Sequence, residues 1–298
     1  MDAHDATPHT NRLGIKAMLA SQAFFSVSDT MVKLSTSTLP PGEIMAVRGV
    51  FGTAIVIGLF FATGAHLHWR ALAHPMVALR AAIEGAIAVM FVNAIGRMQM
   101  GNYTAILLAS PLIITAMAAL LFRAAVGWRR WTAIGIGFGG VLCVAQPSAA
   151  GIDWATWLAI GLAFLVAIRD LVTRGVPGHV PSMLVTLATT VVTTGIGLAM
   201  TAGVGYVTPD AGTVLRLAIA AGAVGMANFF VIMATRKADV AVVAPFRFSV
   251  MPFALLSGFF VWGNVPDALA MIGIVLICGS GLYAIHRERV QRQRQAAR

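Results

Sequence analysis

Charge is the scarcest commodity in this chain. Only 11% of the residues are Asp, Glu, Lys or Arg, and only 11 of them are acidic. A water-soluble domain usually carries about 25% charged residues, so too little polar surface exists to cover a soluble globule of 298 residues. Two cysteines, Cys143 and Cys278, both in apolar runs, exclude a disulfide framework and have no metal-site spacing. No P-loop lysine follows the glycine-rich stretches, no HExxH zinc motif occurs, and no nucleophile elbow or protease-type aspartate pair stands in a recognisable setting. The opening residues MDAHDATPHTNR lack a basic start and a cleavable apolar core, so no signal peptide is expected and the first apolar run is expected to be retained. No cofactor and no catalytic set is expected.

What is present is apolar. Hydrophobic residues make up 58% and the mean hydropathy is +0.84. Gly and Pro marks at PPG (40–42), HP (74–75), QP (146–147), GVPG (175–178), TPD (208–210) and NVPD (264–267) cut the chain into runs of about 20 residues, the length that crosses ~30 Å of hydrocarbon. Spans are expected near 14–37, 42–65, 75–96, 101–122, 129–147, 153–174, 180–202, 212–235, 239–262 and 267–286. The fold class is therefore an all-α membrane protein of about ten transmembrane helices.

With the N-terminus inside, fifteen Lys and Arg residues fall at inner ends and three at outer ends, and Arg48, Arg169 and Arg247 stay within spans. That bias places both termini in the cytoplasm and explains the net charge of +10 without nucleic acid. Trp residues fall at both interfaces. The expected setting is a cell membrane, the inner membrane of a bacterium, with the bilayer as partner.

The chain also repeats itself. Asp29-Thr-Met-Val-Lys33 is echoed by Asp170-Leu-Val-Thr-Arg174, 141 residues on, and Pro111 and Pro252 share that shift. IGIGFGGVL (134–142) resembles IGIVLICGSGL (272–282). Chance likeness between apolar segments is the competing explanation. Duplication gives a tail (1–12), a first five-helix repeat (13–148), a second (149–286) and a basic tail (287–298). Five helices per copy invert the second relative to the first, a construction that recurs in transporters.

These features resemble the EamA group of the drug/metabolite transporter superfamily over nearly the whole chain. The likeness is carried by Lys33, Arg48, Ser110-Pro111-Leu112 and GWRRWTAIGIGFGGVLCVAQP (127–147) in the first half. In the second half it is carried by APFRF (244–248), Pro252 and GNVPDALAMIGIVLICGSGLY (263–283). The chain departs from the family at Phe25-Ser26, at FRAAVGW and at Gly263-Asn264, where the family often has Trp-Gly or Gly-Glu. The resemblance implies a ten-helix secondary transporter of small organic solutes. Asp29, Lys33, Glu43 and Arg48 look closest to members that move S-adenosylmethionine or export amino acids.

Intramembrane ionisable groups are costly and mark candidate solute sites. Glu84, Arg247, Arg48, Asn93, Asn228, Tyr103 and Phe246 are the expected solute-contacting residues. An arginine would hold a carboxylate or phosphate bidentately, and Glu84 would pair an amine or exchange a proton. Three alternatives stand beside this reading: Glu84 neutralises an arginine between helices, Arg48 snorkels to the outer interface, and the two rings pack. Asp29 with Lys33, and Asp170 with Arg174, are expected to act as a gate or an ion pair. The histidines of HLHWRALAH (66–74) read as a cytoplasmic connection rather than a metal cluster. GIGFGG (135–140) reads as a helix-packing face, and the tail as a topology signal near anionic lipid. Substrate identity, direction, proton coupling and the choice of monomer or homodimer stay open. An intramembrane enzyme and a membrane scaffold are the competing classes.

Overall fold

The computed structural model describes residues 8–63, 74–122, 127–147, 151–175 and 181–296. Every regular element among them is a helix. In order they are α1 (Pro8–Ser35), α2 (Pro41–Thr63), α3 (Pro75–Arg97), α4 (Met100–Leu107), α5 (Ser110–Phe122), α6 (Trp128–Ala145), α7 (Trp154–Arg174), α8 (Ser182–Val204), α9 (Ala211–Lys237), α10 (Val240–Val243), a 3₁₀ turn (Ala244–Ser249), α11 (Val250–Trp262) and α12 (Ala268–Ala296). His66 and His68, the first residues of the N-terminal tail and the side chains of Arg174 and the distal basic tail lie outside the described residues.

The helix boundaries follow local chemistry. Pro8, Pro41 and Pro75 open α1, α2 and α3, where a missing N–H costs nothing. His74, one of the three histidines of the run 66–74, caps α3 by accepting from the Met76 N–H at 3.2 Å. Asp210 caps α9 through the Thr213 N–H, and Asp267 caps α12 through the Ala270 N–H. α11 ends on Gly263 in the left-handed region, φ 67°.

Among the described residues, eight segments are long and apolar enough to cross a membrane. The expected first and fifth spans form helices, α1 and α6, but are not among the eight. Their composition explains this. α1 carries Ser21, Gln22, Ser26, Ser28, Asp29 and Lys33, and α6 begins with Arg129 and Arg130. In α1 the serines and Gln22 are turned inward and buried.

Two of the expected spans are broken, and in corresponding places. The fourth is divided into α4 and α5 at Leu108–Ala109. The ninth is divided into α10, the 3₁₀ turn and α11. Pro111 removes the N–H that would close onto Leu107, and Pro252 removes the one that would close onto Phe248. Both breaks thus precede a proline by the same few residues.

The chain divides into two compact units, and the division falls within α1 and α9. One unit comprises 28–98 and 154–225; the other comprises 1–27, 99–153 and 226–298. Each draws on both halves of the sequence, so the compact units and the sequence repeats divide the chain differently.

In the unit of 28–98 and 154–225, α2 lies directly against α8. A β-carbon on Gly42 would stand 3.1 Å from the Gly197 carbonyl, and one on Gly197 would stand 2.8 Å from the Gly42 carbonyl. Val56 and Phe60 of α2 bury against Leu184 of α8, and Val77 of α3 buries against Val185. In the other unit α6 and α12 make the equivalent approach through Gly140 and Gly273. Of the glycines in GIGFGG (135–140), Gly137 and Gly140 are used for close packing, whereas Gly135 and Gly139 face open space. There α1 meets α9 through the Ser21 hydroxyl, which donates to the Ala227 carbonyl at 2.9 Å, and through stacked Phe24 and Phe230 rings.

Candidate functional site

The ionisable residues of the spans fall into separate clusters. In the unit of 28–98 and 154–225, Lys33 ends α1 with its ammonium between the carbonyls of Ile95 (2.7 Å) and Met98 (2.6 Å). These are carbonyls at the C-terminal end of α3, which a helix leaves without internal donors. A cation there is favoured by the helix dipole as well. Lys33 thus ties α1 to the end of α3, a partner four-residue spacing could not reveal.

Asp29 instead shares its surroundings with Arg48, the cation whose charge acts on its carboxylate. Arg48 donates from Nη2 to the Ser28 hydroxyl at 3.3 Å and lies 5.6 Å from the centre of the Phe91 ring. Arg48 is half-buried among α1, α2 and α3. Asn93 donates to the Val89 carbonyl one turn back at 2.8 Å.

A second cluster joins α3 to α7. Arg169 Nη1 stands 3.5 Å from each Glu84 oxygen, while Nε and Nη2 donate to Asp170 at 3.0 and 2.8 Å. Arg80 donates to the Thr173 hydroxyl at 3.0 Å, and its charge acts on Glu84, Arg169 and Asp170. Two arginines and two carboxylates therefore balance across the helix pair. Glu84 thus has an arginine within ion-pair distance across the helix pair. Asp170 is held by its neighbour Arg169; the side chain of its expected partner Arg174 lies outside the described residues. Sequence reasoning missed Arg169 and Arg80 as members of this group. The available signal was Arg80 and Glu84 one helical turn apart on α3.

Glu43 is an enclosed acid, 2% exposed in the first turn of α2. Its Oε1 accepts the Val207 N–H at 2.5 Å, and its Oε2 is sealed without a hydrogen-bond partner. It thereby fastens the connection after α8 to the start of α2.

In the other unit Arg247 sits in the 3₁₀ turn, with its side chain exposed. Phe246 beside it packs against the cluster of Ala17, Met18, Ala234 and Val243. Tyr103 of α4 is 1% exposed, so in this conformation both rings belong to the core. Asn102 Oδ1 is sealed without a hydrogen-bond partner, and Asn228 is exposed on α9.

Two exposed carboxylates hold the connections before α9 and α12. Hydrogen bonds from Thr213 hold the Asp210 carboxyl below its ordinary range. The Ala270 N–H and the Gln146 amide do the same for Asp267.

Residues 12–146 match the EamA-like transporter family. A riboflavin transporter of Rhizobium johnstonii is 27% identical over 295 residues, 96% of this chain and 94% of that protein. By sequence the chain is similar to EamA-like transporters. Other relatives of this EamA-like protein include an S-adenosylmethionine uptake transporter of Rickettsia felis and a pseudopaline exporter of Pseudomonas aeruginosa. The first is 20% identical over 93% of each chain. The second is 26% identical over 88% of this chain and 91% of the relative. One crystal structure shares the fold with TM-score 0.63 at 17% identity, covering 93% of this chain and 98% of its own. The EamA-like chain is thus a multi-pass membrane protein and a transporter of small solutes.

Proposed function

We propose that the chain is a secondary transporter that moves a small organic metabolite across a bacterial inner membrane by alternating access, with both termini in the cytoplasm. The observation that carries this reading is the pair of interrupted spans. Discontinuous helices at corresponding places in the two halves of a transporter point to its solute site, because backbone may leave regular helix only where it lines a cavity or is covered by protein. The breaks before Pro111 and Pro252 meet that description. The 141-residue shift between them, and a family match over 12–146 that nearly coincides with the first expected repeat, support an inverted duplication.

Arg247 belongs to the second break. An exposed guanidinium inside a span is costly against hydrocarbon, so its exposed side faces water or a solute. Arg247 is the group assigned to an anionic part of the solute. Glu84 is assigned to the α3–α7 pairing and lies outside the solute contacts. The relatives' names give three solute types to try: riboflavin, S-adenosylmethionine and pseudopaline. Fifteen cations on the inner side support the orientation. Exchange, a proton gradient and the solute's own gradient are the driving forces to be distinguished in this reading.

The test is counterflow in liposomes containing the full chain, with riboflavin and S-adenosylmethionine, with and without a proton gradient. Arg247→Ala should abolish most movement and Glu84→Gln should retain it. Full activity of Arg247→Ala, or no movement of any solute tried by the wild-type chain, would remove the support for this site.

A further inference from the structure

α6 opens on Trp128, Arg129, Arg130 and Trp131. Both tryptophans are exposed. The Arg129 guanidinium lies over the Trp128 ring, 5.4 Å from its centre. Stacking of this kind leaves the N–H donors at the edge of the guanidinium free. Among the described residues no carboxylate stands within ion-pair distance of Arg129 or Arg130. Arg130 Nε is sealed from water and has no hydrogen-bond acceptor. A sealed charged donor without an acceptor is unfavourable until an anion supplies one. Two guanidiniums therefore stand side by side with no acid from this chain to balance them.

The helix face that runs on from these residues is bare. Gly135 and Gly139 follow Trp128 and Trp131 at spacings of three and four, so the four positions share one face. A β-carbon on Gly135 or Gly139 would meet nothing within 4 Å. On Gly137 or Gly140 it would meet Leu112 or the backbone of α12. The outward glycines thus serve no packing within this chain, and each weakens the helix relative to alanine. They leave a shallow groove that leads from the two guanidiniums along the apolar span.

We propose that this face of α6 seats an anionic phospholipid of the bilayer. Arg129 and Arg130 bind the headgroup phosphate, for which the guanidinium fork is suited. The tryptophan rings flank the lipid at headgroup level, and an acyl chain lies along Gly135 and Gly139. A soluble anion would satisfy the arginines and leave the groove empty. A second copy of this chain fits less well. A two-fold pairing along this face keeps both copies upright in the membrane and brings four guanidiniums to one depth, where like charges repel. A phospholipid supplies the opposite charge and the apolar filling in one molecule. The seat does not depend on which solute the chain moves.

The test is native mass spectrometry of the full chain in detergent micelles, titrated with dioleoylphosphatidylglycerol or dioleoylphosphatidylcholine. The two lipids share their chains and differ in headgroup charge. One arginine near an anionic headgroup contributes about a fivefold preference, so the pair should favour phosphatidylglycerol at least about tenfold. Arg129→Gln combined with Arg130→Gln should bring the two lipids level. Arg12→Gln combined with Lys16→Gln removes the same charge from the start of α1 and should keep the preference. Gly135→Leu fills the groove at an open position, so it should weaken phosphatidylglycerol binding without lowering the melting temperature. Glycerol 1-phosphate, an anion with no chain, should fail to displace the lipid at equal concentration. Equal binding of both lipids to the wild-type chain overturns the proposal, as does equal loss of preference in the α1 control. Displacement by glycerol 1-phosphate, or a dimer that disappears in Gly135→Leu, overturns it too, by giving the face to a soluble anion or to a second copy.

Discussion

Gly140 offers the sharpest test of how this fold is held. An added β-carbon there would lie 2.8 Å from the Gly273 carbonyl, 2.9 Å from Ile277 Cγ1 and 3.0 Å from Leu276 Cβ. The carbonyl belongs to the α12 backbone and has no rotamer to change, so α6 and α12 would have to part by several tenths of an ångström. Such overpacking costs about 1–3 kcal/mol. The same substitution gains about 0.5–1 kcal/mol because alanine is the better helix former. The net expectation for Gly140→Ala is a loss of about 1–2 kcal/mol. Gly139 is the control, since nothing lies within 4 Å of its added β-carbon. Gly139→Ala should gain the helix term alone, about 0.5–1 kcal/mol. The two variants have the same composition and differ by one position on one helix. Denaturant or thermal unfolding in a single detergent reads the difference. If Gly140→Ala were as stable as Gly139→Ala, the close approach of α6 to α12 would not be what holds this pair.

Two further perturbations address the helix ends. Lys33→Met leaves the Ile95 and Met98 carbonyls without their cation, and hydrogen bonds to charged groups contribute about 1.5–3 kcal/mol, so its melting temperature should fall well below that of Lys33→Arg. Asp267 is held below the ordinary carboxylate range in the folded chain, so the stability it contributes is complete above the unfolded value of about 4 and is lost as pH falls through the lower folded value. The melting-temperature gap between wild type and Asp267→Ala should therefore be present at neutral pH and shrink under strong acid, and a gap that widened on acidification would contradict the capping role.

The expected spans near 42–65, 75–96 and 153–174 agree with α2, α3 and α7 within a few residues. They do so because unbroken apolar length and proline starts are local properties. The broken ninth span was less legible. Pro252 is visible in the sequence, but whether a proline kinks, breaks or merely starts a helix depends on what receives the freed backbone groups.

The candidate site divides in the same way. That Asp29, Lys33, Arg48, Glu84 and Arg247 sit inside apolar runs is read directly from their flanks. Their partners are not. Spacing of four residues suggests Asp29 with Lys33, because on an isolated helix those two are neighbours. In the fold, the end of α3 presents bare carbonyls to Lys33, and α2 presents Arg48 to Asp29. Likewise Arg169 reaches Glu84 from 85 positions away. Sequence by itself determined that this chain is a many-helix membrane protein, since length and hydropathy act along the chain. Only the tertiary structure decided which charge meets which, because long side chains inside a membrane take the nearest compensating group in space, and that neighbour is set by helix packing.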